Sequence, residues 1–156
     1  MIHVGDVRTY QRLPPVRKLL TLVFGLVAKD RANELRFDYR PDPPEARMWF
    51  SAAGVPWEMV PPPGHLWPEL FRLLWRETRF DPPNRTHWWQ RRARRPAFPE
   101  CPAAGTLTVR FANIPVEFDI IFFRGPTGEH ILLRKVSAVN VSPAVADFFS
   151  SHVNKR

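Results

Sequence analysis

"GVPWEMVPPPGHLWPELFRLLW", residues 54–75, changes character twice. Residues 55–60 mix apolar and polar positions as a strand does, and Pro56 places that strand at a sheet edge or at its own beginning. Pro61–Pro63 then cannot donate backbone hydrogen bonds, and they hold the chain extended. Beyond them Leu66, Leu70, Leu73 and Leu74 recur at helical spacing, with Pro68 suited to the first turn. A strand therefore ends, a rigid link follows and a helix begins. The flanking sequence decides whether that helix covers a sheet.

Upstream, Val16, Leu19, Leu20, Val23, Phe24 and Val27 fall on one stripe, which predicts a helix over 15–29 with Pro15 in its first turn. "NELRFDYR" then alternates, with Leu35, Phe37 and Tyr39 on one face and Glu34, Arg36, Asp38 and Arg40 on the other. That is a half-buried strand. Residues 46–60 read as a hairpin turning at "AAG", with Met48 and Phe50 on one side. Downstream, 106–111 alternates on Leu107, Val109 and Phe111, and 116–123 on Val116, Phe118, Ile120 and Phe122; a further strand covers 130–136. A terminal helix is expected after Ser142 as N-cap and Pro143 as its first residue. Clustered strands with helices on one face predict an α+β fold, an antiparallel or mixed sheet with helices packed on it. The chain of 156 residues divides into an N-terminal arm (1–14), one α+β domain (15–140) and a C-terminal helix and tail (141–156).

The formal net charge is +8, with arginine supplying most of the 23 basic residues. Such a charge suits acidic partners, nucleic acid or anionic lipid. The single cysteine, Cys101, excludes an internal disulfide framework and a Cys-rich zinc site. The start has no signal-peptide core, and the longest apolar stretch, Leu19–Ala28, is too short to span a bilayer. These features predict a cytoplasmic protein.

Three stretches in order, "PVRKLLTLVFGLVAKDRANELRFDY", "GVPWEMVPPPGHLWPELFRLL" and "GTLTVRFANIPVEFDIIFFRGPTGEHILLRKV", resemble one module. It is the domain just upstream of the ATPase core in type II secretion and type IV pilus assembly ATPases, the secretion ATPase superfamily. The resemblance covers roughly residues 15–136. In that family a helix leads to an Ala-Ser-Asp-Ile-His-like strand. A strand ending in Arg-x-Asp-Gly and a hydrophobic strand follow, then a proline-marked link to a helix. A hairpin with Val-Asp-x-Arg and Gly-Glu-x-Val-Val-Leu-Arg closes the domain.

The departures fall on polar positions. The family's Ser-Asp-Ile-His aligns with Asn33, Glu34, Leu35 and Arg36, and Arg-x-Asp-Gly with Ser51, Ala52, Ala53 and Gly54. The arginine of Val-Asp-x-Arg aligns with Asp119, while Glu117 keeps the acidic position; Gly128, Glu129, Leu133 and Arg134 match the closing hairpin. A second-helix arginine aligns with Leu73, beside Arg72. The resemblance implies that such arginines clamp a nucleotide held by the neighbouring ATPase core, and here those positions read Ser51 and Leu73. No glycine precedes a lysine, so no phosphate-cradling P-loop is present. The expectation is a non-catalytic interaction or scaffold domain that needs no cofactor or metal and acts through protein contacts, with a secretion or pilus assembly component or ATPase as partner. The Met1 start and the extra terminal helix favour a free-standing relative over an excised domain.

Other chemistry is thin. The five histidines lack metal-ligand spacing. Glu117 and Asp119 share a strand face, where a solvated face explains them as well as a carboxylate pair does. The individual feature is "RTHWWQRRARR" within a basic loop spanning 79–104. Residues 79–99 carry six arginines against one aspartate. Trp88, Trp89, Arg91, Arg92, Arg94 and Arg95 are the candidate partner-binding residues. Interleaved tryptophan and arginine suit a protein interface, or nucleic acid by stacking and phosphate contact, or a loop covering the core edge. The alternative function is accordingly a basic nucleic-acid-binding module.

Overall fold

The computed structural model describes residues 1–4, 10–29, 31–80 and 102–136. In chain order the elements are β1 (Ile2–Val4), α1 (Pro15–Lys29), β2 (Glu34–Pro41), β3 (Pro44–Ala52), β4 (Val55–Met59), a 3-10 turn (Gly64–Leu66), α2 (Trp67–Glu77), β5 (Arg79–Phe80), β6 (Ala103–Phe111), β7 (Ile114–Gly125) and β8 (Gly128–Lys135). This is an α+β fold. Two helices lie against an eight-stranded mixed sheet of order β1-β6-β7-β8-β2-β3-β4, with β5 also on β6, strongly curled into a half-barrel. All pairings are antiparallel except β1 on β6.

The sheet joins two meanders. One is β2–β3–β4 and the other β6–β7–β8, and the β2–β8 ladder, Leu35 opposite Leu133 and Phe37 opposite Ile131, sews them together. Period-2 alternation sends one apolar row after another to the inner face. Ala103, Phe122, Ile131, Phe37, Met48 and Met59 form one row across six strands. Gly105, Ile120, Leu133, Leu35 and Phe50 form the next, which runs out to the exposed Trp57 on the β4 edge. The helices fill the concavity. Phe24 of α1 meets Phe118 at 5.5 Å, and Phe71 and Trp75 of α2 meet Phe122 at 5.2 and 4.9 Å between ring centroids. Burying each such side chain stabilises by roughly 1.5–3 kcal/mol. The helical stripe read as leucines is wider than expected, because Trp67, Phe71 and Trp75 are buried with Leu70, Leu73 and Leu74.

The proline link now has a physical account. Pro56 sits in β4, the last strand of the sheet, where a missing N–H costs no ladder bond if it faces the open edge. Pro62 is buried while Pro61 and Pro63 are exposed, and the Leu66 N–H donates to the Pro63 carbonyl at 3.0 Å. The chain is thereby delivered into α2 at Trp67. The Trp67 indole stacks on Tyr39 at 5.1 Å and its Nε1–H donates to Glu129 Oε2 at 2.8 Å. Helix α2 is therefore bolted at its start to both meanders.

Two glycines are dictated by close approach. A Cβ on Gly128, at φ +139°, would fall 2.0 Å from the Tyr39 carbonyl oxygen, and one on Gly105 would fall 2.4 Å from the Arg79 carbonyl oxygen. Gly105 explains a correction to the sequence reading. The basic loop expected over 79–104 is not irregular at its two ends. Arg79–Phe80 pairs with Gly105–Thr106, and β6 begins at Ala103, because a side-chain-free position lets the backbone of β5 press against β6. The N-terminal arm likewise contributes β1, whose Ile2 and Val4 are buried. The remaining strand boundaries extend the expected ones by up to three residues, apart from those that end sooner, such as β4 at Met59 and β8 at Lys135. Helix α1 runs over the expected 15–29. The expected terminal helix lies outside the described residues.

Candidate functional site on the outer face of the sheet

Alternation that buries one face exposes the other, and here the outer face is not uniformly polar. Cross-strand register sets Ser51, Glu34, Arg134 and Asp119 in one row. Glu58, Trp49, Arg36, Leu132, Ile121 and Ala104 form the next row. Arg47, Asp38, His130 and Phe123 form a third. Over β2–β4 these rows wall an open groove of about 470 Å³ lined by Glu34, Arg36, Asp38, Arg47, Trp49, Ser51 and Pro56.

Its charges are matched locally. Arg36 Nε donates to Asp38 Oδ1 at 2.8 Å, and Arg134 Nη2 to Glu34 Oε2 at 3.2 Å. Glu45 accepts from Arg47 at 2.9 Å and from Arg40 at 2.6 Å. The hydrogen bond and charge of Arg47, with Arg40 beside it, hold the Glu45 carboxyl below its usual value. The same bond and charge from Glu45, then the fields of Glu58 and Asp38, raise Arg47 above its own. His130 Nδ1 lies 2.6 Å from Asp38 Oδ1, its ring is stacked on Phe123 at 4.8 Å, and Thr127 Oγ1 is 3.4 Å from Nε2. Across β2, β3, β4, β7 and β8 there are seven carboxylates against six basic side chains. The sheet is thus near neutrality in a chain of +8. A groove in which each guanidinium already faces a carboxylate has little field left for a phosphate. It suits a surface of mixed polarity, with Trp49, Arg36 and Arg47 as anchors of the kind that dominate protein contacts.

The positions singled out by the family resemblance divide cleanly. Ser51, Glu34, Arg134 and Asp119 come together in the first outer row, and Arg36 is one row away. Leu73 does not join them, since it is buried in the core, and Arg72 is the exposed neighbour on α2. Glu129 points inward and anchors Trp67 while accepting from Arg124 Nη2 at 3.0 Å. Glu117 and Asp119 are both exposed, opposite Thr108 and Thr106. Trp88, Trp89, Arg91, Arg92, Arg94, Arg95 and Cys101 lie outside the described residues. Sequence reading passed over Trp49 and the apolar positions of β7 and β8 on the outer face. Their signal was available, since Trp49, Ile121, Phe123 and Leu132 break the polar half of the alternation.

Among the described residues no helix is long and apolar enough to cross a membrane. No family model matches the chain, and no curated protein matches it significantly.

Proposed function

We propose that the chain is a non-catalytic interaction domain of the kind that precedes the core of type II secretion and type IV pilus assembly ATPases, working in the cytoplasm through protein contacts. The observation that carries this reading is the row Ser51–Glu34–Arg134–Asp119. Four positions taken from four separate stretches of sequence, each aligned with a polar motif residue of that family, meet side by side on the outer face. Serine and aspartate stand at two of the family's arginine positions, and Glu34 occupies Arg134. The element order supports the same reading: a helix, a three-strand meander, a proline link into a helix, and a closing hairpin. The charges at these positions differ from those that the resemblance implies for a nucleotide clamp, which favours a contact of another kind. The nucleic-acid alternative rests on residues 79–104, most of which lie outside the described ones.

The test has two arms. Calorimetric titration with ATP and magnesium is expected to show no micromolar binding. Titration with a purified secretion or pilus ATPase core from the same genome is expected to show a complex that Trp49→Ser with Arg47→Ser weakens about tenfold or more, the range of a lost interface anchor. Micromolar ATP binding, or a complex indifferent to those two substitutions, overturns the proposal.

A further inference from the structure

Helix α1 gives only part of its surface to the core. Val16, Leu20, Val23, Phe24 and Val27 are buried, but Leu22 is 54% and Leu26 42% exposed, and Leu19 is only partly covered. Residues three and four apart share a helix face, so Leu19, Leu22 and Leu26 form a second stripe. Their three-then-four spacing is that of a two-helix seam.

Basic residues frame this stripe. Lys18 lies one turn before Leu22 and Lys29 just under one turn after Leu26, while Arg12 and Arg31 are exposed beyond the two ends. Among the described residues no carboxylate pairs with any of the four. The Lys18 ammonium has the Tyr10 ring 6.0 Å away. On the sheet, by contrast, Arg36, Arg40, Arg47, Arg124 and Arg134 each lie on a carboxylate, although among the described residues Arg110 and Lys135 do not. Four basic residues without a described carboxylate partner therefore surround an exposed leucine seam.

We infer that this seam docks an amphipathic helix of a protein partner whose own apolar stripe is flanked by glutamate or aspartate. Two half-exposed leucines make a narrow stripe, because the rest of the apolar surface of α1 is spent on the core. A facing helix matches such a seam, whereas a lipid interface rewards a broad apolar face. A second copy would set Lys18 and Lys29 against their equals, which like-charge repulsion opposes. The inference shares with the proposed function only the premise that this is a protein-contact domain. Its surface lies on the helix side of the sheet, away from the groove, so either can fail alone.

The experiment uses the full chain and three probes at low salt. The first is a labelled peptide of about three heptads with leucine at a and d and glutamate at e and g. The second carries lysine at e and g, and the third is phosphatidylcholine vesicles containing phosphatidylserine. The glutamate peptide is expected to bind with a Kd on the order of 10–100 µM, the lysine peptide at least tenfold more weakly. Lys18→Glu with Lys29→Glu should reverse that preference. Leu22→Ser with Leu26→Ser should abolish binding of both peptides, and circular dichroism checks that each variant folds. Trp49→Ser with Arg47→Ser should leave peptide binding unchanged. Equal binding of both peptides, no saturable binding of the glutamate peptide, capture by the vesicles instead, or a dimer that the leucine substitutions dissolve would each overturn the inference.

Discussion

Phe122 and Phe123 are adjacent on β7 and chemically identical, so they isolate the effect of sheet face. Phe122 has no solvent exposure, and its ring lies 5.2 Å from Phe71, 4.9 Å from Trp75 and 6.0 Å from Phe80. Phe123 is half-buried on the outer face with its ring stacked on His130. Phe122→Ala removes the transfer energy of a buried ring and leaves a cavity between α2 and the sheet, a loss of about 3–5 kcal/mol. Three aromatic neighbours put the expected value in the upper half of that range, since each well-placed ring pair adds about 0.5–1.5 kcal/mol beyond area. Phe123→Ala forfeits one stacked contact and partial burial, about 1 kcal/mol. Against a total stability of roughly 5–15 kcal/mol, the first variant is severely weakened and the second is not. Urea titration followed by tryptophan fluorescence measures both, because Trp75 abuts Phe122. At about 2–4 °C per kcal/mol for a chain of this size, the melting temperature should fall by about 8–20 °C for the first variant and by a few degrees for the second. Equal losses would refute the assignment of inner and outer faces, and with it the register on which the outer rows rest.

Two further outcomes are expected. Ala53 and Gly54 turn the β3–β4 hairpin with φ of 51° and 78°; a left-handed alanine is strained and Asn-Gly is the favoured pair there, so Ala53→Asn should stabilise by about 0.5–1 kcal/mol in the same urea titration. Glu77 accepts from the Met1 ammonium and Arg76, with Arg17 3.8 Å away; burial pushes its carboxyl up, but the ammonium and the arginine outweigh it and hold the folded-state value below the usual 4.5. Its contribution to stability is therefore present above the unfolded pKa and lost as pH falls through the folded one. Glu77→Gln should flatten the acid limb of a melting-temperature profile below about pH 5 and shift the neutral plateau down.

Periodicity made the inner face legible. Leu35, Phe37, Met48, Leu107, Val109, Val116, Phe118, Ile120 and Phe122 were all assigned inward by alternation alone, and all are buried. Such a signal survives because burial on one face leaves no freedom in register. Pro56 similarly announced the edge that β4 occupies. What could not be read is pairing between strands far apart in sequence. Nothing local says that Glu34 faces Arg134, or that Ile2–Val4 lies parallel to β6, since these depend on how the meanders curl together. Strand β5 was missed because two residues are too few to show a period, and the evidence for it sat elsewhere, in the missing side chain of Gly105. The outer groove escaped because charged alternation on β2 looks the same whether it meets water or a partner.

The ladder between β2 and β8 has a consequence for how the chain reaches its shape. The strands on either side of it are each built from near neighbours in sequence, whereas Glu34 and Arg134 are 100 residues apart. The centre of the sheet is thus the last part that a growing chain can complete, and the two meanders must wait for each other with one apolar face uncovered. Long-range pairing of this kind slows folding. It also rests the whole sheet on one ladder, since β2 and β8 are the strands through which each meander meets the other.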